Sequence, residues 1–220
     1  PSAIVNRDSS WCDLMIQDCQ ARVLTYAIDR PADIKADNVR LTPEGTHFEL
    51  TYMGETVAFV SPMSGRFNLY NCLAAIGVGI ARDVPLKRLA ELLRSFKPVP
   101  GRLEPVPNVL DLKIYVDYAH TEDALRNVLN CLKEVTRGRV ITVFGCGGDR
   151  DRSKRPKMAQ AAEALSDVTI VTSDNPRSEK PEAILAEVTA GFVRKDSYIV
   201  EIDRRNAIEK AIQLARPDDI

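Results

Sequence analysis

Little in this sequence points to a covalent staple, a membrane or a polyanion. Five cysteines (Cys12, Cys19, Cys72, Cys131 and Cys146) are odd in number and scattered, with no C-x-x-C pair. Neither a disulfide framework nor a zinc knuckle is indicated, and a reducing compartment suits them. No apolar run approaches the ~18 residues of a membrane helix, and no signal peptide is recognisable, so the expected location is cytoplasmic. Charge of one sign is not in excess: 30 basic and 31 acidic residues give a net −1. Neither nucleic acid nor a membrane is therefore expected as a partner, and any basic chemistry must be local. Histidine is nearly absent, with only His47 and His120. Internal repeats and low-complexity tracts are missing.

What is present reads as globular. The 220 residues are 45% apolar and 28% charged, enough for one or two domains with real cores. Residues 1–99 are mixed in pattern. Residues 3–6 and 22–28 read as strands. Residues 33–41, 46–52 and 56–60 are β-rich, and the turn residues between them predict an antiparallel meander. Residues 68–81 and 86–96 read as helices, the second with Leu89, Leu92, Leu93 and Phe96 at helical spacing. Lys97-Pro98-Val99-Pro100-Gly101 cannot continue a helix and marks the expected domain boundary.

Residues 100–220 alternate. Strand-like runs at 113–116, 140–144, 168–172 and 198–202 are separated by helix-like runs at 123–136, 156–165, 181–193 and 204–215. This alternation predicts βαβ units and a mostly parallel sheet, an α/β fold. The last residues, Asp218-Asp219-Ile220, fall where a fifth strand should begin, so a fragment of a longer protein is expected.

In such sheets ligands bind beyond the carboxyl ends of the strands. Four polar clusters fall there: Asp117-Tyr118-Ala119-His120-Thr121, the run from Gly145 through Gly147-Gly148-Asp149-Arg150 to Arg152, Ser173-Asp174-Asn175-Pro176-Arg177, and Asp203-Arg204-Arg205. The glycine run lacks both G-x-x-x-x-G-K-[ST] and G-x-G-x-x-G spacing, so alone it says only that backbone comes close to something. The charge-dense stretch after it is either a solvated loop or an anion site with Arg forks. Asp174, Asn175, Pro176 and Arg177 read either as a turn and cap or as a zwitterion site. There the acid would take an ammonium and the guanidinium a carboxylate. Asp117 suits ribose hydroxyls or an Asx-type cap equally. His120 and Arg102 read by spacing alone as structural and surface residues.

Together these strings are more specific. Residues 115–125 resemble the V-D-Y-A-H-T-P-D-A-L signature of the Mur ligases that add diaminopimelate. Residues 144–156 resemble their F-G-C-G-G-D-R-D-x-x-K-R-P segment, and residues 174–177 their D-N-P-R. Residues 65–71 resemble G-x-F-N-x-x-N, and residues 100–104 P-G-R-x-E. The likeness spans nearly the whole chain. It implies the rear part of a central ATP-binding domain (1–99) followed by a Rossmann-like C-terminal domain (100–220). It further implies Asn68 and Asn71 by adenine, Arg102 on ATP phosphates, and Asp117 on the ribose with His120 nearby. Arg150 and Asp174, Asn175, Pro176 and Arg177 would hold meso-diaminopimelate, with Arg177 on its distal carboxylate. The implied reaction uses ATP and Mg²⁺ to activate the D-glutamyl γ-carboxylate of UDP-MurNAc-L-Ala-D-Glu as an acyl phosphate, which the amine then attacks. A monomer is expected.

Glu122 stands where the family usually has proline. The P-loop, uridine-binding domain, carbamylated lysine and G-K-G-H-E motif of the family are missing from these 220 residues. No catalytic residue is assigned within them, and the chain alone is expected to be inactive. Alternatives are a lysine-adding or folylpolyglutamate-type ligase and a non-catalytic Mur-like scaffold. D-x-A-H-N-P in place of D-Y-A-H-T, and a missing D-N-P-R, distinguish the folylpolyglutamate type. The Arg150 and Arg177 pair argues against the scaffold.

Overall fold

The computed structural model describes residues 1–97 and 99–220; Pro98, inside the expected boundary stretch, lies outside the described residues. The chain divides into two compact units, Pro1–Val99 and Pro100–Ile220.

The first unit is built on one mixed five-stranded sheet. Its elements are β1 (Ser2–Asn6), α1 (Cys12–Ile16), β2 (Arg22–Ala27), β3 (Ile34–Thr42), β4 (Gly45–Tyr52), β5 (Glu55–Ser61), α2 (Arg66–Ile80) and α3 (Leu86–Arg94). Strand order follows the chain. The β1–β2 and β2–β3 pairs are parallel, and β3–β4–β5 form the expected antiparallel meander. Alternation along β4 buries Phe48 and Leu50 while Glu49 and Thr51 turn outward. Phe48 stacks on Phe59 at 5.2 Å, and α2 completes the core with Leu69, Leu73 and Ile76.

One expectation needs correction. Leu92 and Phe96 are 46% and 43% exposed, although they share helical spacing with Leu89 and Leu93. The inward face of α3 carries Leu86, Leu89, Ala90 and Leu93. At about 100° per residue that face is centred between positions 89 and 90, which leaves 92 on its far side, while Phe96 lies beyond the end of α3 at Arg94.

The second unit comprises β6 (Glu104–Pro105), β7 (Tyr115–Val116), α4 (Glu122–Val135), β8 (Ile141–Phe144), α5 (Lys154–Leu165), β9 (Val168–Val171), α6 (Pro181–Thr189), β10 (Tyr198–Val200) and α7 (Arg204–Leu214). The β10–β9–β8 sheet is wholly parallel. All four residues of β9 are β-branched, as befits a central strand. Helices α4, α5 and α6 join Val140, Phe144 and Val171 in one apolar cluster, while α7 packs on β8 and β9. Ile220 donates to the Arg139 carbonyl and accepts from the Ile141 N–H, the pattern of a parallel bridge at the free edge of β8.

The strand expected at 113–116 is not part of that sheet. Only Tyr115 and Val116 are extended, and they pair antiparallel with Glu104 and Pro105. The cause is local. Asn108 bonds through its side chain to Val106, Leu110 and Leu112, closing a hairpin in which 115–116 pair with 104–105. Position 122 fits the helix start: Glu122 opens α4 behind the N-cap Thr121 and accepts from Arg126 at 3.0 Å.

Candidate functional site

In the first unit the polar groups lie at the end of β1 and the start of α2. Asp8 is fully engaged: its carboxylate accepts from the N–H groups of Ile28, Asp29 and Arg30 and from the Tyr70 hydroxyl at 2.9 Å. Those bonds hold the carboxyl below its ordinary range although partial burial opposes them. Burial and the neighbouring Asp8 push the Tyr70 phenol up to about 12. Asn68 is buried, and its amide donates to the Ser64 carbonyl at 2.9 Å. Asn71, one turn on, is exposed.

In the second unit the polar clusters form a linked series. Lys154 donates to the His120 carbonyl at 2.7 Å, the Gly148 N–H to the Asn175 carbonyl at 2.9 Å, and Arg204 to the Ser173 carbonyl at 3.3 Å. The loops after β7, β8, β9 and β10 are thus neighbours, as expected of one rim, although β7 is not in the sheet.

Asp117 forms an Asx-type turn but does not cap α4, whose N-cap is Thr121. One oxygen accepts from the Leu103 N–H at 2.9 Å and the other from the Ala119 N–H at 2.8 Å. His120 is exposed, with Nδ1 3.0 Å from the Tyr118 carbonyl and its ring edge-on to Tyr118. Arg102 is exposed and lies over the Tyr118 ring, 5.8 Å from its centre.

The glycine run meets the 173–177 loop backbone to backbone. A Cβ on Gly145 would overlap the Thr172 carbonyl oxygen, and one on Gly148 the Pro176 carbonyl oxygen. Glycine is required here by close approach. Arg177 sits at φ +50°, with its guanidinium across Gly147 and Nη1 donating to the Gly148 carbonyl at 2.5 Å. Arg150 and Asp174 are exposed, and neither side chain has a hydrogen bond or ion pair among the described residues.

The rest of the charge-dense stretch is structural. Asp149 accepts from Ser178 through backbone and hydroxyl. Asp151 accepts from Ser153 in the same manner. Arg152 pairs with Glu187. Arg155 is fully buried and donates to Glu179, Glu187 and the Gly147 carbonyl. Its guanidinium, with the Asp149 N–H, holds the Glu179 carboxyl down to about 2. Cys146 is buried beside Met158, and burial raises its thiol, which suits core packing.

The model of the Mur ligase middle domain matches residues 1–79, and that of the Mur ligase glutamate ligase domain matches residues 101–220. The chain belongs to the Mur ligase family. This Mur ligase chain is 39% identical over its full length to a UDP-N-acetylmuramoyl-L-alanyl-D-glutamate--2,6-diaminopimelate ligase of Clostridium botulinum, covering 46% of that protein. It is 45% identical over 99% of its length to the ligase of the same name from Gloeobacter violaceus, covering 44% of it. The chain therefore spans about half the length of the curated relatives it matches. A solved structure of a ligase of that name superposes with a TM-score of 0.69 at 36% identity, over all of this chain and 46% of that one. A folylpolyglutamate synthase from Mycobacterium tuberculosis superposes at 0.74, over 97% of this chain and 48% of that one, with 20% identity, a likeness of fold alone.

Two features of this Mur ligase chain were not read from its sequence: the burial of Arg155 and the part played by Glu179. A signal existed for the first. Arg155, Met158, Ala159 and Ala162 are spaced i, i+3, i+4, i+7, so Arg155 lies on the apolar stripe of α5. No comparable signal marks Glu179. No helix of the described residues is long and apolar enough to cross a membrane.

Proposed function

We propose that this chain is the adenine-side and amino-acid-binding part of an ATP-dependent ligase. The intact protein joins meso-2,6-diaminopimelate to UDP-MurNAc-L-Ala-D-Glu during peptidoglycan precursor synthesis. The observation that carries this reading is the loop pair at residues 147–150 and 174–177. Arg177 is anchored by one Nη to the Gly148 carbonyl, which orients its fork and leaves further donors open. Arg150 and Asp174 stand unpaired beside it in sequence and fold. Two guanidinium groups and one carboxylate complement a ligand with two carboxylates and a distal ammonium. Lysine lacks the second carboxylate. The names of the similar ligases support the same substrate.

We assign Arg150 and Arg177 to the carboxylates of diaminopimelate, and Asp174 and Asn175 to its distal ammonium, with Pro176 shaping the turn. Asn71 is assigned to adenine, and Asn68 to holding the start of α2 beside it. Arg102 is assigned to nucleotide phosphates. Asp117 and His120 are assigned to the ribose side, Asp117 through lone pairs that its two backbone bonds leave open. In the reaction a phosphoryl group passes from ATP to the D-glutamyl γ-carboxylate. The amine nitrogen then bonds to the acyl carbon, phosphate leaves with the carboxyl oxygen, and the amine gives up a proton. The part played by this chain is to align that amine and neutralise the ligand's charge. The described residues contain no cluster of three or more His, Cys, Asp or Glu suited to a metal ion. Mg²⁺ is therefore not assigned to them. We place the intact ligase in the cytoplasm, where five free thiols persist.

The test is ADP release by the intact protein with meso-diaminopimelate against L-lysine. We expect turnover with the first and little with the second, and no turnover by residues 1–220 alone. Equal use of both amino acids would remove the basis of the assignment.

A further inference from the structure

We infer that Arg155, Glu179 and Glu187 form a positioning device that sets the separation of the two amino-acid-binding loops before ligand arrives. The inference rests on the reading of Arg150 and Arg177 given above. Arg155 lies at the start of α5 with no exposed surface, on the same face as Met158, Ala159 and Ala162. Four of its five N–H donors are matched. Nη1 donates to Glu179 Oε2 at 2.9 Å and Glu187 Oε2 at 2.7 Å. Nη2 donates to Glu179 Oε1 at 2.7 Å and the Gly147 carbonyl at 3.3 Å. Nε alone has no partner.

The network continues outward from both ends. Glu179 Oε1 also accepts from the Asp149 N–H at 2.7 Å, and the Asp149 carboxylate accepts from the Ser178 N–H and hydroxyl. Residues 147–149 on one loop and 178–179 on the other are thereby closed into a ring around one buried cation. Arg150 adjoins the first anchor and Arg177 the second. None of the three network side chains is assigned to the ligand.

Stability does not explain such a ring. Apolar residues filling the same space usually serve stability as well or better, because a buried ion pair loses its hydration. Direction is what the ring supplies. A planar fork bonded to two carboxylates and a carbonyl permits one spacing of the loops, whereas apolar packing permits several. Two surface arginines held at a fixed spacing bind a dicarboxylate without the entropy of ordering the loops.

The test uses the intact ligase and measures KM for meso-diaminopimelate, KM for ATP and the thermal midpoint. Glu179→Gln leaves one acceptor oxygen and puts an amide N–H against an Arg155 donor. We expect it to raise the amino-acid KM about tenfold and to leave the ATP KM within about twofold. An unchanged amino-acid KM, or an equal rise in both, overturns the positioning role. Arg177→Ala separates the two levels of the argument. If it leaves the amino-acid KM unchanged, the site reading fails and the inference with it. If it raises that KM and Glu179→Gln does not, only the positioning role fails. Should Glu179→Gln not fold, Glu187→Gln carries the same test, since it spares the bidentate pair. Its expected rise is about threefold, and no rise overturns the inference.

Discussion

The two units treat the polar residues at their strand ends differently. In the first, Asp8 accepts four hydrogen bonds, and Asn68 is buried on the Ser64 carbonyl; both are consumed in holding the fold. In the second, the loops after β8 and β9 are tied together from beneath by Arg155, Glu179 and Asp149, which leaves Arg150 and Asp174 unpaired above. One arrangement uses its charges to close a turn. The other uses some of its charges to hold others open. A polar residue within a motif and a polar residue available to a ligand are thus separate facts, and only the partners of each side chain tell them apart.

The largest expected effect comes from forcing the second unit's loops apart. Gly148→Ala places a Cβ against the Pro176 carbonyl, a backbone atom that cannot swing aside. In the intact ligase we expect affinity for meso-diaminopimelate to fall about 100-fold with nucleotide affinity retained, as calorimetry with each ligand would report. Retained amino-acid affinity would mean that close approach of the loops is not needed for binding.

A smaller effect is expected in the first unit. Asp8→Asn keeps the shape but gives up charge-assisted bonds to three backbone N–H groups, at a cost of about 1.5 kcal/mol in urea unfolding. Because Asp8 is consumed structurally, nucleotide affinity should follow stability only. A large loss of nucleotide binding in a fully folded variant would erase the contrast between the units.

The smallest effect is a pH dependence. Glu179 is held at about 2 in the fold against an ordinary 4.5. A lowered folded value means that its ionised form stabilises the fold above the ordinary value, and that this contribution is lost as pH falls from 4.5 towards 2. Glu163, held at about 2 by the Val193 and Arg194 N–H groups, and Asp219, held there by Arg139, titrate in the same direction. The unfolding midpoint of Glu179→Gln should therefore fall less steeply than that of the parent across this window. Parallel curves would show that the Glu179 pairing adds nothing.

Much of the fold was legible because periodicity records burial. The meander of β3, β4 and β5, the helices α2 to α7 and the parallel run of β8, β9 and β10 all follow from spacing and turn residues. The departures have local causes. The hairpin closed by Asn108 took the strand at 115–116 out of the sheet, and the true inward face of α3 lay one row from the leucine spacing.

By itself, then, the sequence determined the α/β class, the order of the elements and the Mur ligase family, since these depend on patterns along the chain. Tertiary structure decided which charges are paired and which are free. Arg150 and Arg155 are five residues apart in one charged stretch; spacing on α5 hints that Arg155 faces inward, but not what it meets there. One ends exposed and unpaired, the other buried between two glutamates from distant positions. The physical reason is that a guanidinium's role is set by the acceptors around it, and those acceptors arrive only when α6 and the loop before it fold onto α5.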